Sequence, residues 1–315
     1  GDSSTDGPRT VLALDGSSLR GVNSGGVTDI SDTSVFDYLV GANAGLKGGD
    51  FKVDDGAGNY IANPDLADPE VMPAAGLRAT IHGDIVHSRP LTISYGPKSS
   101  GGTEFRIFYG ANDGLFRAVN PDNGREDWAF IAPEHLAGIE RLYANTPTVD
   151  FYGLDAALSS AIDAEPKDYF FDGATGAHTE YNTSDQLTTG YIFPTMRRGG
   201  GMVYAFNVSP SSLGIPPSTP TFMWKKGCDG GSCDTGYANL GQTWSTPISG
   251  FVEGYNSGGS PVLFMGGGWD ECLDTDAANI SCTSGDSGNS VFVIDATTGA
   301  VLQELATDAP VVAEV

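Results

Sequence analysis

The chain has little positive charge. It carries 16 Lys and Arg against 40 Asp and Glu, a net charge of −24 over 315 residues. Such a surface repels phosphate, which excludes nucleic acid as a partner. The carboxylates are spread along the chain, so the excess reads as solubility ahead of cation binding. Long apolar runs are missing too. None approaches the ~18 residues a membrane-spanning helix requires. Histidine is scarce, at four residues (His82, His87, His135 and His178), and none stands beside a nucleophile-elbow serine. No Ser–His–Asp arrangement follows from it. Gly266-Gly267-Gly268 is followed by neither helix nor lysine, so no phosphate loop is present. The chain opens Gly1-Asp2-Ser3-Ser4, without initiator methionine or signal peptide, as expected of a processed or excised piece.

What is plentiful is the punctuation of short strands, with 44 Gly and 18 Pro beside a 39% hydrophobic content. That suits an all-β domain with many tight turns. A three-fold repeat organises it. Ser88-Arg89-Pro90, Asn145-Thr146-Pro147 and Ser245-Thr246-Pro247 share a small-x-Pro signature, and each precedes four strand-like runs. The first set is 91–95, 106–109, 115–120 and 126–131. The second is 148–152, 191–195, 202–207 and 221–224. The third is 248–252, 262–265, 290–295 and 301–305. Four strands per recurring unit is the signature of a β-propeller blade. The blades are expected at about 83–135, 140–226 and 240–306, within a partial propeller over 83–315. Residues 1–82 form an irregular lead-in packed on it, with a strand at 10–15 and a helical turn or strand at 35–40.

In the first and third units the third strand ends alike, with Asn120 and Gly124 matched by Asp295 and Gly299. An Asx side chain that bonds the following N–H groups, then a glycine at positive φ, reverses the chain. The fourth strands carry Trp128, Trp224 and Leu302, which read as packing between blades. Two insertions interrupt the units. One lies between Tyr152 and Tyr191 and includes a helical turn or two at 155–163. The other is an acidic loop, Trp269–Asn289. Such insertions project from one face, where function commonly resides.

Each candidate for chemistry competes with a plainer reading. Cys228 with Cys233, and Cys272 with Cys282, enclose short polar loops and read as disulfides in an oxidising compartment. A zinc site is the alternative, but no histidine follows His178. His82, Asp84 and His87 suit a metal, yet they immediately precede the first blade and read as a structural opening motif. Arg197 and Arg198, before a run of glycines, can clamp a carboxylate or form an internal ion pair near the propeller axis. Trp269 and Asp270 stand at the base of the acidic loop as further interaction candidates. Asp274, Asp276 and Asn279 offer alternating oxygens for Ca2+, without completing an EF-hand pattern. Asp54 and Asp55 are a lesser acidic pair.

Six motifs then occur in order: HGDIVHSRP (82–90), FYGANDG (108–114), WAFIAPE (128–134), MRRGG (196–200), LGQTWSTP (240–247) and FMGGGWD (264–270). Together they resemble the carboxy-terminal β-propeller of the PilY1 family, type IV pilus tip-associated adhesins and biogenesis factors. The resemblance covers about residues 80–305, with a weaker match at 10–18. It implies a modified, quinoprotein-dehydrogenase-like propeller and a non-enzymatic role at the cell surface, with minor pilins or the pilus tip complex as partners. The family's calcium loop lies beyond the third blade, so Ca2+ binding is not carried onto these residues. Three blades do not close a ring. Further sequence, the lead-in or a partner is expected to cover the open edges. A quinone-dependent dehydrogenase fragment is the competing expectation, since its blades share the Asx–Gly turns. The adjacent cysteine pair usual over that cofactor is not in the sequence. A carbohydrate-binding propeller is a third.

Overall fold

The computed structural model describes residues 11–15, 17–21, 52–54, 60–62, 82–144, 146–150, 164–273 and 287–315. The lead-in supplies β1 (Val11–Asp15), β2 (Ser18–Gly21), β3 (Lys52–Asp54) and β4 (Tyr60–Ala62). Three four-stranded antiparallel units follow. The first is β5 (Leu91–Pro97), β6 (Thr103–Gly110), β7 (Leu115–Asn120) and β8 (Arg125–Ile131). A 3-10 turn at Pro133–His135, helix α1 (Leu136–Ala144) and two short strands, β9 (Thr148–Asp150) and β10 (Ala164–Pro166), lead on. The second unit is β11 (Thr175–Tyr181), β12 (Leu187–Pro194), β13 (Gly201–Asn207) and β14 (Thr221–Asp229), extended by β15 (Ser232–Cys233). The third is β16 (Ile248–Phe251), β17 (Pro261–Gly266), β18 (Ser290–Asp295) and β19 (Val301–Ala306). The fold is all-β: blade-like sheets packed in series, with no closed ring among the described residues. The lead-in adds a strand to a blade. β1 runs parallel to β8, pairing Val11 with Ala129 and Leu12 with Phe130.

The expected turns form for the stated reason. Asn120 Oδ1 accepts the Asp122 N–H at 2.9 Å, and Asp295 Oδ1 accepts those of Thr297 and Thr298 at 2.8 Å. Gly124 and Gly299 both sit at φ +71°, a conformation that costs glycine little. Burial alone would raise the Asp295 pKa. Hydrogen bonds from Thr297, Tyr255 and Thr298 outweigh it and hold the carboxyl below its usual value.

The second blade departs from the expectation in its first strand. Thr148–Asp150 does not open the sheet; it pairs in parallel with β10. The opening strand is β11, which lies within the stretch the sequence marked as an insertion between Tyr152 and Tyr191. Why the signature misled is visible in the register. Ser88 Oγ accepts the Gly110 N–H at 2.9 Å, and Ser245 Oγ accepts the Gly266 N–H at 3.0 Å. Leu91 pairs with Phe108, Gly176 with Phe193, and Ile248 with Phe264. Counting back three residues and on two, Gly173 takes the place of the two serines and Thr195 that of the two glycines. The hydroxyl has changed sides: Thr195 Oγ1 donates to Ala174 O at 2.8 Å. A Cβ on residue 173 would lie 2.1 Å from Thr195 Oγ1. The small-x-Pro signature is therefore missing where the sheet begins.

The sheets pack face to face through two cores. Between the first and second lie Tyr95, Phe108, Phe116, Trp128 and Phe130 against Ile192, Tyr204 and Phe206. Phe130 meets Phe206 at 4.9 Å and Tyr204 at 5.1 Å between ring centroids. Such pairs add about 0.5–1.5 kcal/mol beyond the area they bury. Between the second and third lie Phe193, Val203 and Trp224 against Leu263, Met265, Phe292 and Ile294. Trp128 and Trp224 thus pack between blades, as expected. Leu302 does not. The register shifts between Val293 and Ile294, so Val301 pairs with Ile294 and turns inward, leaving Leu302 exposed. Helix α1 covers the other side of the first sheet, with Ile139 against Leu115, Ala129 and Ile131.

Cys228 and Cys233 form a disulfide across the β14–β15 hairpin. Cys272 is also disulfide-bonded. Cys282 lies outside the described residues, as do Asp55, Asp274, Asp276, Asn279 and the segments at 35–40 and 155–163. No helix among the described residues is long and apolar enough to cross a membrane.

Candidate functional site

The residues before each opening strand and after each second strand lie at one end of the sheets. Register equivalence groups them. His87, Asp172 and Trp244 occupy one position of the repeat, just before the small residue. Asn112, Arg197 and Gly268 occupy a second, and Asp113, Arg198 and Trp269 a third. These positions build two junctions of different character.

The junction between the first and second sheets is a closed hydrogen-bond network. Asp172, with a fully buried side chain, faces His87 Nδ1 at 2.7 Å. Its other oxygen accepts from Asn112 Nδ2 at 3.2 Å. Asn112 Oδ1 accepts the Phe170 N–H at 3.2 Å, and Asn112 N donates to Asp84 O at 3.0 Å. Asp84 is ion-paired with Lys167. Burial would raise the Asp84 pKa, but Lys167 and Asn112 prevail and hold it low. His82 Nε2 meets Tyr109 Oη at 2.9 Å. His82, Asp84 and His87 are thus each engaged by protein groups, which is the structural role the sequence suggested. Among the described residues, no three His, Cys, Asp or Glu side chains are grouped to hold a metal ion. Beneath this network His135 stands edge-on to Phe170 and Phe171, at 5.1 and 4.9 Å. Burial pushes its pKa down to about 4.

The junction between the second and third sheets is built on aromatic rings. Thr243 anchors it: its hydroxyl accepts the Met196 N–H at 2.9 Å, and its carbonyl the Arg197 N–H at 3.1 Å. That fixes the turn after β12, where Arg197 takes φ +51°. A non-glycine residue there is strained by about 1 kcal/mol or more. The strained backbone lays the Arg197 guanidinium over Trp244, 4.1 Å from the ring centroid, with Arg198 at 5.5 Å from the same ring. Trp244 in turn leans on Trp269 at 5.8 Å. Gln242 fixes both: its side chain accepts from Trp244 Nε1 at 3.0 Å, and its backbone pairs with that of Trp269. Burial lowers the Arg197 pKa; Asp172 opposes this, while nearby Arg198 and Arg89 add repulsion. Arg197 makes no ion pair with any described residue. Arg197 Nε and Trp269 Nε1 are buried without hydrogen-bond partners.

At the rim, Arg89 Nη1 donates to Glu314 Oε1 at 2.7 Å, and Thr246 Oγ1 reaches the same oxygen at 3.2 Å. Arg89 and Thr246 each follow the serine of their small-x-Pro signature. Of the sequence candidates, Arg197, Arg198 and Trp269 come together. Asp270 is spent inside its own loop, its two oxygens accepting from Cys272 N at 2.9 Å and Ser287 N at 3.1 Å. Sequence reasoning missed Trp244, Arg89, Thr246 and Glu314 as site residues. Aligning the units on their Asx turns would have flagged the first three, because each stands at a repeat position that the other units fill differently.

No protein-family profile matches the sequence, and no curated protein does. Among solved structures the chain is similar to the PilY1 C-terminal domain of Pseudomonas aeruginosa, at 18% identity and a TM-score of 0.38. That match covers 65% of this chain and 32% of the other. A europium-containing methanol dehydrogenase is similar at 8% identity and a TM-score of 0.27, over 77% and 40% of the two chains. The chain thus spans less than half the length of either.

Proposed function

We propose that this chain is a non-catalytic binding module of a type IV pilus assembly, exposed at the cell surface or pilus tip. Minor pilins or the tip complex are its partners, and the motif-bearing end of its sheets is the surface it uses. One observation carries the reading. The six ordered motifs that resemble the PilY1 family are scattered over nearly 190 residues of sequence, yet they gather at this end. HGDIVHSRP and FYGANDG meet through Asp84 and Asn112. MRRGG and LGQTWSTP meet through Arg197 and Thr243, and LGQTWSTP and FMGGGWD through Gln242 and Trp269. WAFIAPE delivers the chain to His135, which faces Gly199 O at 3.3 Å. The motifs also give Phe108, Trp128, Phe130 and Met265 to the cores, while the polar residues they carry converge on this end. The Cys228–Cys233 disulfide supports an oxidising compartment.

Gold-labelled antibody against the chain, applied to intact cells of the encoding organism, is expected to mark pilus tips. Label confined to the cytoplasm, or unchanged on cells stripped of pili, overturns the assignment. Turnover of an alcohol after addition of pyrroloquinoline quinone and Ca2+ overturns its non-catalytic part.

A further inference from the structure

We infer that the second junction is a binding site for a peptide carboxylate flanked by small apolar residues, and that this chain's own Glu314 occupies its outer part. The inference does not rest on the pilus reading.

Three observations point the same way. First, a carboxylate is already seated there. Glu314 Oε1 takes the Arg89 guanidinium and the Thr246 hydroxyl together, although the Arg89 side chain is 76% exposed and Glu314 50%. A pair so open to water is exchangeable, worth little on its own. The flanking residues, Val312, Ala313 and Val315, show the kind of neighbours the place tolerates. Second, positive charge is concentrated here in a chain of net charge −24. Arg197 is held beside Arg198 and Arg89, which repel it, and no carboxylate of a described residue pairs with it. Asp172, the acid whose charge acts on it, is engaged by His87 and Asn112. Third, the floor is a pair of tryptophans, with buried nitrogens on Arg197 and Trp269 still lacking partners. Aromatic and arginine side chains of this kind anchor binding surfaces. Backbone strain at Arg197 fits a residue placed for contact rather than for stability.

The acidic surface does not forbid such a ligand. Its field is screened within ~8 Å at physiological salt, so local arginines dominate at contact. It does select against polyanions, which favours a peptide with a single acidic residue among apolar ones.

The probe is the heptapeptide Ala-Pro-Val-Val-Ala-Glu-Val, acetylated and amidated so that its glutamate is the only carboxylate. Calorimetric titration uses the full chain, unmodified or carrying Glu314→Ala or the volume-conserving Glu314→Gln, with circular dichroism confirming that each is folded. Vacating the rim is expected to tighten peptide binding about two- to fivefold, and adding Arg89→Ala to reverse that gain. The same peptide with glutamine for glutamate is expected to bind at least ~tenfold more weakly. Equal binding of the two peptides to the unmodified chain, or no gain in either Glu314 variant, overturns the inference. Failure of one variant to fold leaves the other, and the two-peptide comparison, to decide.

Discussion

The two junctions use the same repeat positions for opposite ends. At the first, His87, Asp172 and Asn112 satisfy one another, and each oxygen of the buried carboxylate already has a partner. At the second, Arg197 and Trp244 meet face to ring, and two buried nitrogens keep spare valence. A saturated network stabilises; an unsaturated one costs stability and is kept for what it can bind. Stability should therefore respond mainly to changes at the first junction, and binding to changes at the second.

The largest expected effect follows from removing the buried acid. Asp172→Ala leaves Asn112, 5% exposed, without one of its acceptors and frees His87 from its partner. The loss should be about 3 kcal/mol of unfolding free energy, measured by urea titration. Trp244→Ala is expected to cost markedly less. If the two cost the same, the division of labour between the junctions fails.

Acid should separate the junctions next. The His135 pKa is about 4 in the folded chain and ~6.5 unfolded, so the unfolded state takes up the proton first. The stability this histidine contributes is complete above pH ~6.5 and is lost as pH falls toward 4, to about 3 kcal/mol in all. Asp84, Glu134 and Asp295 have lowered values. Their contributions are lost only further down, as pH falls through those folded values. Between pH 7 and 4.5 the histidine thus dominates. His135→Phe is expected to flatten the pH dependence of the urea midpoint in that window. A slope unchanged from the parent would place the acid sensitivity elsewhere.

A smaller effect tests the repeat itself. Ser245→Ala leaves the buried Gly266 N–H without its acceptor, and Ser88→Ala does the same to Gly110; each should cost about 1–3 kcal/mol. The middle sheet inverts the arrangement, so a serine at residue 173 should not rescue Thr195→Gly in full. Of the three nearest obstacles to its Cβ, two are main-chain atoms of Thr195. Full recovery in thermal melts would mean the three units are more alike than their register indicates.

How much of this the sequence disclosed differs between the same regions. The blade strands of the first and third sheets were legible because a serine, a proline and an Asx–Gly turn bracket them locally. β11 was not, because its equivalent hydroxyl belongs to Thr195, twenty residues away on the partner strand. Leu302 was misplaced because a one-residue register shift exchanges inward and outward positions, and alternation alone does not reveal a bulge. In the site, the MRRGG motif stood out by composition. Trp244 and Glu314 did not, since their roles arise only when three chain segments converge.

The smallest effect on stability should coincide with a large one on binding. Arg197 carries a left-handed backbone, repulsion from Arg198 and Arg89, and a buried Nε without a partner, against one stacking contact with Trp244. Glycine relieves the backbone strain and the repulsion, while giving up a cation–π contact of about 1–2 kcal/mol and gaining unfolded-state entropy of about 0.5–1 kcal/mol. These nearly cancel, so Arg197→Gly should unfold within about 1 kcal/mol of the parent chain, with the backbone bond from residue 197 to Thr243 O retained. Any partner that uses this end of the sheets should bind it several-fold more weakly. A strongly destabilised Arg197→Gly would make the arginine a structural element of the second junction, no different in kind from Asp172 at the first.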